Sequence, residues 1–212
     1  KFAWKHLADQ DIFLVSPTTF SFDTPDWATD EFIHEINNIH GLKNKYNIFE
    51  KDLTKRIVVA YESSPLISKV NYVERELPNK LKMKFELRRP VAIIKRKRKK
   101  HLVDKDCVRI PGDFYKYPEE GDEPIYIISR KSVKVPEYGE KWKDKSIEDG
   151  INLLNYLKHN KIDKLLKIVS IDVSKIEGRR KDNKIGVELW TKNGAKIKWG
   201  FSPSSGQVSE LS

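Results

Sequence analysis

The sequence predicts an α+β protein of two domains, and three features carry that reading. The first is the stretch 67–95, ISKVNYVERELPNKLKMKFELRRPVAIIK, where alternation, a turn and a second alternation follow without interruption. Leu81, Met83, Phe85 and Leu87 point one way and Lys82, Lys84, Glu86 and Arg88 the other, which makes a strand with one dry and one wet face. Val70, Tyr72 and Glu74 are expected to share one face of the preceding strand, across a Leu77-Pro78-Asn79 turn. The second feature is a pair of helical stripes upstream, and the third is a second half of short strands around one helix. The expected boundaries are a linker over 1–11, a strand-helix-helix-strand-strand domain over 12–90, a mostly antiparallel β domain with one main helix over 91–201, and a flexible tail over 202–212.

Taken in order, residues 11–22 read as an opening strand broken near Pro17. Thr24 offers a helix N-cap and Pro25 a first helical position; Phe32, Ile36 and Ile39 then recur at helical spacing until Gly41 supplies a left-handed stop. After a turn at 43–47, Phe49, Leu53, Ile57, Ala60 and Tyr61 form the stripe of a second helix, which Ser63-Ser64-Pro65 ends. With the two later strands this order implies a three-stranded sheet with helices on one face. In the second half, Ser146-Ile147-Glu148-Asp149 opens a helix with a capping-box-like pattern, Ile147, Ile151, Leu154 and Leu157 form its buried stripe, and Gly150 weakens it slightly. Strands over 168–173, 185–190 and 195–201 follow. The last two are joined at Thr191-Lys192-Asn193-Gly194, whose Asn-Gly pair favours a tight antiparallel hairpin. The polar loop at 177–183 is expected to be mobile.

Composition narrows the function classes. The 212 residues carry 41 Lys and Arg against 31 Asp and Glu, a formal net charge of +10. The longest apolar runs fall far short of the ~20 residues of a membrane-spanning helix. The single cysteine, Cys107, excludes an internal disulfide framework. The basic excess concentrates in Lys95-Arg96-Lys97-Arg98-Lys99-Lys100, placed between apolar segments so that it reads as the loop at a hairpin tip. Such a loop is a solvated tip, a docking element for anionic headgroups or an acidic partner, or a nucleic-acid contact; no aromatic residues interleave with these cations as they do in single-strand readers.

Catalytic patterns are weak. Leu102-Val103-Asp104-Lys105-Asp106-Cys107-Val108 has the Asp-x-Asp-x-Val wording of an aspartyl phosphatase, but that chemistry needs its carboxylates at the end of a parallel strand in an alternating α/β fold. An Asp-capped hairpin turn is the simpler reading. His34 and His40 face different sides of a helix, and His6, His101 and His159 are isolated, so no metal-ligand spacing is present. No phosphate-binding glycine loop appears, and neither metal nor cofactor is expected.

Several motifs in order resemble the FtsQ/DivIB cell-division family. In the first half these are the Leu-Pro turn, the alternating strand and Glu86-Leu87-Arg88-Arg89-Pro90-Val91-Ala92. In the second they are Leu102-Val103-Asp104-Lys105-Asp106, Val135-Pro136, the helix, Val169-Ser170-Ile171-Asp172-Val173 and Ile197-Lys198-Trp199-Gly200. The resemblance covers about residues 12–201. Cys107 departs from it, standing where the family usually has glycine, and the chain stops at Ser212, before the terminal helix and strand of family members. The resemblance implies a POTRA-type first domain and a non-catalytic scaffold of the cell envelope, held at the inner membrane by an N-terminal anchor absent from this chain, with its bulk in the periplasm. It also implies recruitment of membrane-anchored division proteins of the FtsB/FtsL type. The last strand is the expected partner-binding edge, with Lys196, Lys198, Gly200 and Phe201 as contact residues, and Lys95, Arg96, Lys97, Arg98, Lys99 and Lys100 are the expected anionic-surface residues. Two other readings stay open: a POTRA-containing outer-membrane assembly or secretion protein, and a basic nucleic-acid-binding module using the Lys95–Lys100 run.

Overall fold

The computed structural model describes residues 10–16, 25–39, 42, 45–96, 98–112, 115–116, 123–130, 132–176 and 186–199. The chain forms two compact units, one of residues 1–88 with 113–116 and the other of 89–112 with 117–212. Both mix helices and strands, so the protein is α+β.

In the first unit a short 3-10 turn leads into β1 (Leu14–Val15), followed by α1 (Asp30–Asn37), β2 (Tyr46–Asn47), α2 (Leu53–Glu62), β3 (Ile67–Glu76) and β4 (Lys80–Leu87). α1 starts later than expected. Its cap is Thr29, whose hydroxyl accepts the Phe32 N–H at 3.2 Å, while Pro25 accepts the Ala28 N–H in the turn before it. Phe32, Ile36 and Ile39 are buried as their spacing predicts, together with Leu53, Ile57 and Tyr61 of α2. Burying each such side chain contributes ~1.5–3 kcal/mol. Tyr115 returns to this core, its ring stacked 5.6 Å from Trp27.

The strands depart from a single three-stranded sheet. β1 pairs with β2, in the segment read as a turn, and β3 pairs with β4 in a separate two-stranded sheet. The face assignment of β3 also changes. A register shift between Val70 and Tyr72 leaves Asn71 unpaired, so Val73, not Tyr72, joins Val70 on the side of Met83 and Phe85. Tyr72, Glu74 and Glu76 instead stand opposite Lys84, Lys82 and Lys80 on the wet face. A one-residue bulge inverts every later side chain, and composition does not announce it.

The second unit is built on a seven-stranded sheet in the order β11-β10-β9-β8-β5-β6-β7. Its strands are β5 (Ala92–Arg96), β6 (Lys99–Val103), β7 (Arg109–Ile110), β8 (Ile125–Ile128), β9 (Ile168–Asp172), β10 (Val187–Thr191) and β11 (Lys196–Trp199). The flanks are antiparallel, as expected, but the centre is parallel: β8 pairs in parallel with both β5 and β9. α3 (Lys145–His159) lies between β8 and β9 in sequence and supplies the crossover that parallel neighbours need, with the short α4 (Ile162–Leu166) after it.

α3 buries Ile147, Ile151, Leu154 and Leu157, joined by Leu153, in one cluster with Ile94, Ile127, Ile171 and Leu189 of the sheet. Its cap is Asp144 rather than a box begun by Ser146: one Asp144 oxygen accepts the N–H groups of Ser146 at 3.0 Å and Ile147 at 3.2 Å. Gly150 has a packing reason. A Cβ there would sit 2.8 Å from Cγ1 of buried Val173. The expected cap Thr24 and stop Gly41, the loop at 177–183 and the tail at 202–212 lie outside the described residues.

Gly150→Ala tests this contact. Helix propensity alone favours alanine by ~1 kcal/mol, but overpacking against a rigid β-branched neighbour costs ~1–3 kcal/mol. The expected outcome in urea unfolding is a net loss of about 1 kcal/mol, whereas a gain would show that the contact relaxes freely.

Candidate functional site

The β10–β11 hairpin forms one margin of the seven-stranded sheet among the described residues. Its connection is a three-residue loop: Thr191 N–H donates to Ala195 O at 3.0 Å, Gly194 N–H donates to Thr191 O, and Gly194 takes φ +80°, where glycine is favoured. That closing bond sets the phase of the ladder. Hydrogen-bonded and non-bonded pairs alternate in an antiparallel pair, so Leu189↔Ile197 and Val187↔Trp199 exchange backbone bonds while Trp190↔Lys196 and Glu188↔Lys198 do not. The N–H and C=O groups of Lys196 and Lys198 therefore turn away from β10. β11 ends the sheet among the described residues, whereas the other margin, β7, is lined by the segment 139–142 through bonds such as Arg109 N–H to Glu140 O at 2.9 Å. Ile197 and Trp199 pack toward the core and Lys196 and Lys198 are exposed, the alternation expected from the sequence.

The charge of Lys196 is committed within the chain. Its ammonium lies 2.8 Å from Glu188 and 5.4 Å from the centre of the Trp190 ring, and Lys175 reaches the same carboxylate at 3.2 Å. Glu188 is 6% exposed although it lies on the sheet face away from α3. The Lys196 hydrogen bond holds the Glu188 carboxyl below the usual carboxylate range, with Lys175 adding to the effect against the cost of burial. Glu188, Trp190 and Lys175 were not anticipated, although counting back from the Asn-Gly turn places Lys196 opposite Trp190. Among the described residues Lys198 is left as the cation available at this edge, while Gly200 and Phe201 lie outside them.

The basic run is not a loop. Lys95 and Arg96 belong to β5, Lys99 and Lys100 to β6, and Lys95↔Lys100 and Arg96↔Lys99 are ladder partners. Arg98 is exposed in the turn and Lys97 lies outside the described residues. The aromatic that the run lacks in sequence is supplied by β8: Lys100 Nζ donates to Tyr126 OH at 3.0 Å and sits 5.2 Å from its ring centre. The described members of the partner-binding and anionic-surface sets thus form two separate groups, at opposite flanks of the sheet order.

The Asp104 motif is a turn. Asp104 is 2% exposed, and its Oδ1 accepts the N–H groups of Asp106 at 3.0 Å and Val108 at 2.8 Å, after a strand antiparallel to both neighbours. Cys107 closes this turn at φ +65°, a left-handed conformation that favours glycine. Burial pushes its thiol up to about 12, which keeps it from acting as a thiolate nucleophile. Half-buried His101 lies edge-on to Trp142, and burial, then Arg109, Arg96 and Lys99, hold its pKa below the ordinary value. His34 is engaged locally with Asn38, while His6 and His40 lie outside the described residues. Among the described residues no group of three or more His, Cys, Asp or Glu could hold a metal ion, and no helix is long and apolar enough to cross a membrane. A pocket of about 530 Å³ opens where Ile125, Ile168 and Val169 meet Lys164, Lys167 and Lys192; it contains none of the expected binding residues. No protein family model matches the sequence, and no curated protein matches it.

Asp104→Ala orphans the buried Val108 N–H and the partly buried Asp106 N–H and is expected to cost about 2 kcal/mol of unfolding free energy; an unchanged denaturation midpoint would remove its capping role. For Glu188 the folded pKa lies below the unfolded one, so its stabilisation is full above the unfolded value and fades as pH falls through the folded one. Glu188→Gln should therefore melt below wild type at neutral pH and converge with it in acid. A constant gap across the pH range would contradict the ion-pair account.

Proposed function

We propose that this chain is a non-catalytic scaffold of the cell envelope, resembling the extracytoplasmic part of the FtsQ/DivIB cell-division proteins, and that it recruits membrane-anchored division proteins of the FtsB/FtsL type through the edge of β11. The observation that carries this reading is the outward phase of the Lys196 and Lys198 backbone groups at a sheet margin. An extended partner segment gains affinity by continuing such a sheet through main-chain bonds, and alternate side chains then set specificity. With Lys196 committed to Glu188, the selective contact falls to Lys198, which suits an acidic residue on the incoming strand.

The element order of the first unit supports reading residues 12–90 as POTRA-like, with β2 as an added short strand paired to β1. A second unit in which one long helix covers a broad sheet fits the β domain of the same resemblance. The proposal includes an anchor upstream of this chain and a periplasmic site of action. It assigns no cofactor and no reaction.

Lys198→Pro tests the edge directly. Proline there removes an outward-facing N–H while leaving the bonds of Ile197 and Trp199 to β10, a position that edge strands tolerate. The variant is expected to melt within about 1 kcal/mol of wild type and to lose capture of a membrane-tethered, coiled-coil-type division partner. Undiminished capture by the folded variant would move the interaction elsewhere.

A further inference from the structure

The end of the β5–β6 hairpin holds an arrangement that folding alone disfavours. The ladder sets Lys95 opposite Lys100 and Arg96 opposite Lys99, so two like-charged pairs stand with Cβ atoms roughly 4.5–5.5 Å apart, and like charges in direct opposition weaken a ladder. Alternation then spreads them over both sides: Arg96 and Lys99 lie on the side of buried Ile94, Lys95 and Lys100 on the other, with Arg98 at the turn. Among the described residues no carboxylate forms an ion pair with Lys95, Arg96, Arg98 or Lys99, in contrast to Lys175 and Lys196 at Glu188. Arg96 Nε is buried without a hydrogen-bond partner. The cations also act on one neighbour: after burial, Arg109, Arg96 and Lys99 are what disfavour the charged form of His101.

We propose that this cation ladder docks the chain on an anionic lipid surface, where headgroup phosphates take the place of the missing carboxylates. A cluster of four to eight Lys and Arg is the range in which such surfaces are bound, and a strand end that carries cations on both sides and at its turn meets a plane of phosphates without needing a shaped groove. Single-stranded nucleic acid fits less well. Its readers stack bases on bare aromatic faces, whereas the ring beside this cluster, Tyr126, is already covered by Lys100 and its hydroxyl is hydrogen-bonded. The inference concerns the flank of the sheet away from β11 and does not depend on the partner reading.

The test is co-sedimentation of the chain with vesicles of mixed phosphatidylcholine and phosphatidylglycerol against pure phosphatidylcholine. The variants are Lys95→Gln/Arg96→Gln/Arg98→Gln/Lys99→Gln and the charge-keeping control Lys95→Arg/Lys99→Arg. Wild type and the control should bind the anionic vesicles with an affinity that falls as salt rises, and the four-fold variant should bind roughly a hundredfold or more weakly. Its melting temperature should be unchanged or raised, because the opposed charges are gone. Equal binding to neutral and anionic vesicles, or undiminished binding by the four-fold variant, would overturn the proposal. So would tighter binding of single-stranded DNA or RNA at the same salt that the four-fold variant loses. If the four-fold variant does not fold, the salt dependence of wild type and the single variant Lys95→Gln, expected to bind several-fold more weakly, decide the question.

Discussion

One helix covering one face of a seven-stranded sheet is the constraint on which the second unit depends. Ile147, Ile151, Leu154 and Leu157 meet Ile94, Ile127, Ile171 and Leu189 so closely that Gly150 has no room for a methyl group against Val173. Because β8 runs parallel to both β5 and β9, the chain needs a crossover between β8 and β9, and α3 is that crossover as well as the core layer. The dry side of every central strand is thereby set. Register then places Tyr126, Ser170 and Trp190 in one row on the other side, where Lys100 of β6 and Lys196 of β11 lie over the two rings.

That second face shows two opposite treatments of charge. At Glu188 a nearly buried carboxylate is held by two lysines, so charge is neutralised internally and the hairpin is tied to the segment after β9. At the β5–β6 end cations face cations. Local folding energetics account for the first arrangement and oppose the second, and this contrast is the reason for seeking an external anion there. The edges differ in the same way: β7 is lined by the segment 139–142, while β11 presents backbone groups outward among the described residues.

Local periodicity was enough to read much of this from residues. The stripe Ile147, Ile151, Leu154, Leu157 and the alternation Leu81, Met83, Phe85 reappear as buried faces because each depends on spacing within one element. The β10–β11 hairpin was equally readable, since a Gly at positive φ between alternating strands leaves little choice of pairing. What failed involved distant partners or a single inserted residue. The bulge at Asn71 exchanged Tyr72 for Val73, β1 found Tyr46–Asn47 instead of β3, and β8 paired in parallel on both sides. At the candidate sites the same limit applied. Lys196 and Lys198 look alike in sequence, and only the positions of Glu188 and Lys175 in space show that one charge is committed.

Among the described residues β11 is an edge whose backbone groups alternate between a closed inner ladder and an open outer one. Residue-resolved amide hydrogen exchange tests it without a change in sequence. In the free chain Ile197 and Trp199 amides should be protected and Lys196 and Lys198 amides should exchange rapidly, with the latter pair becoming protected when an extended partner segment binds. Protection of Lys196 and Lys198 in the free chain, or no change in them on partner binding, would contradict the account.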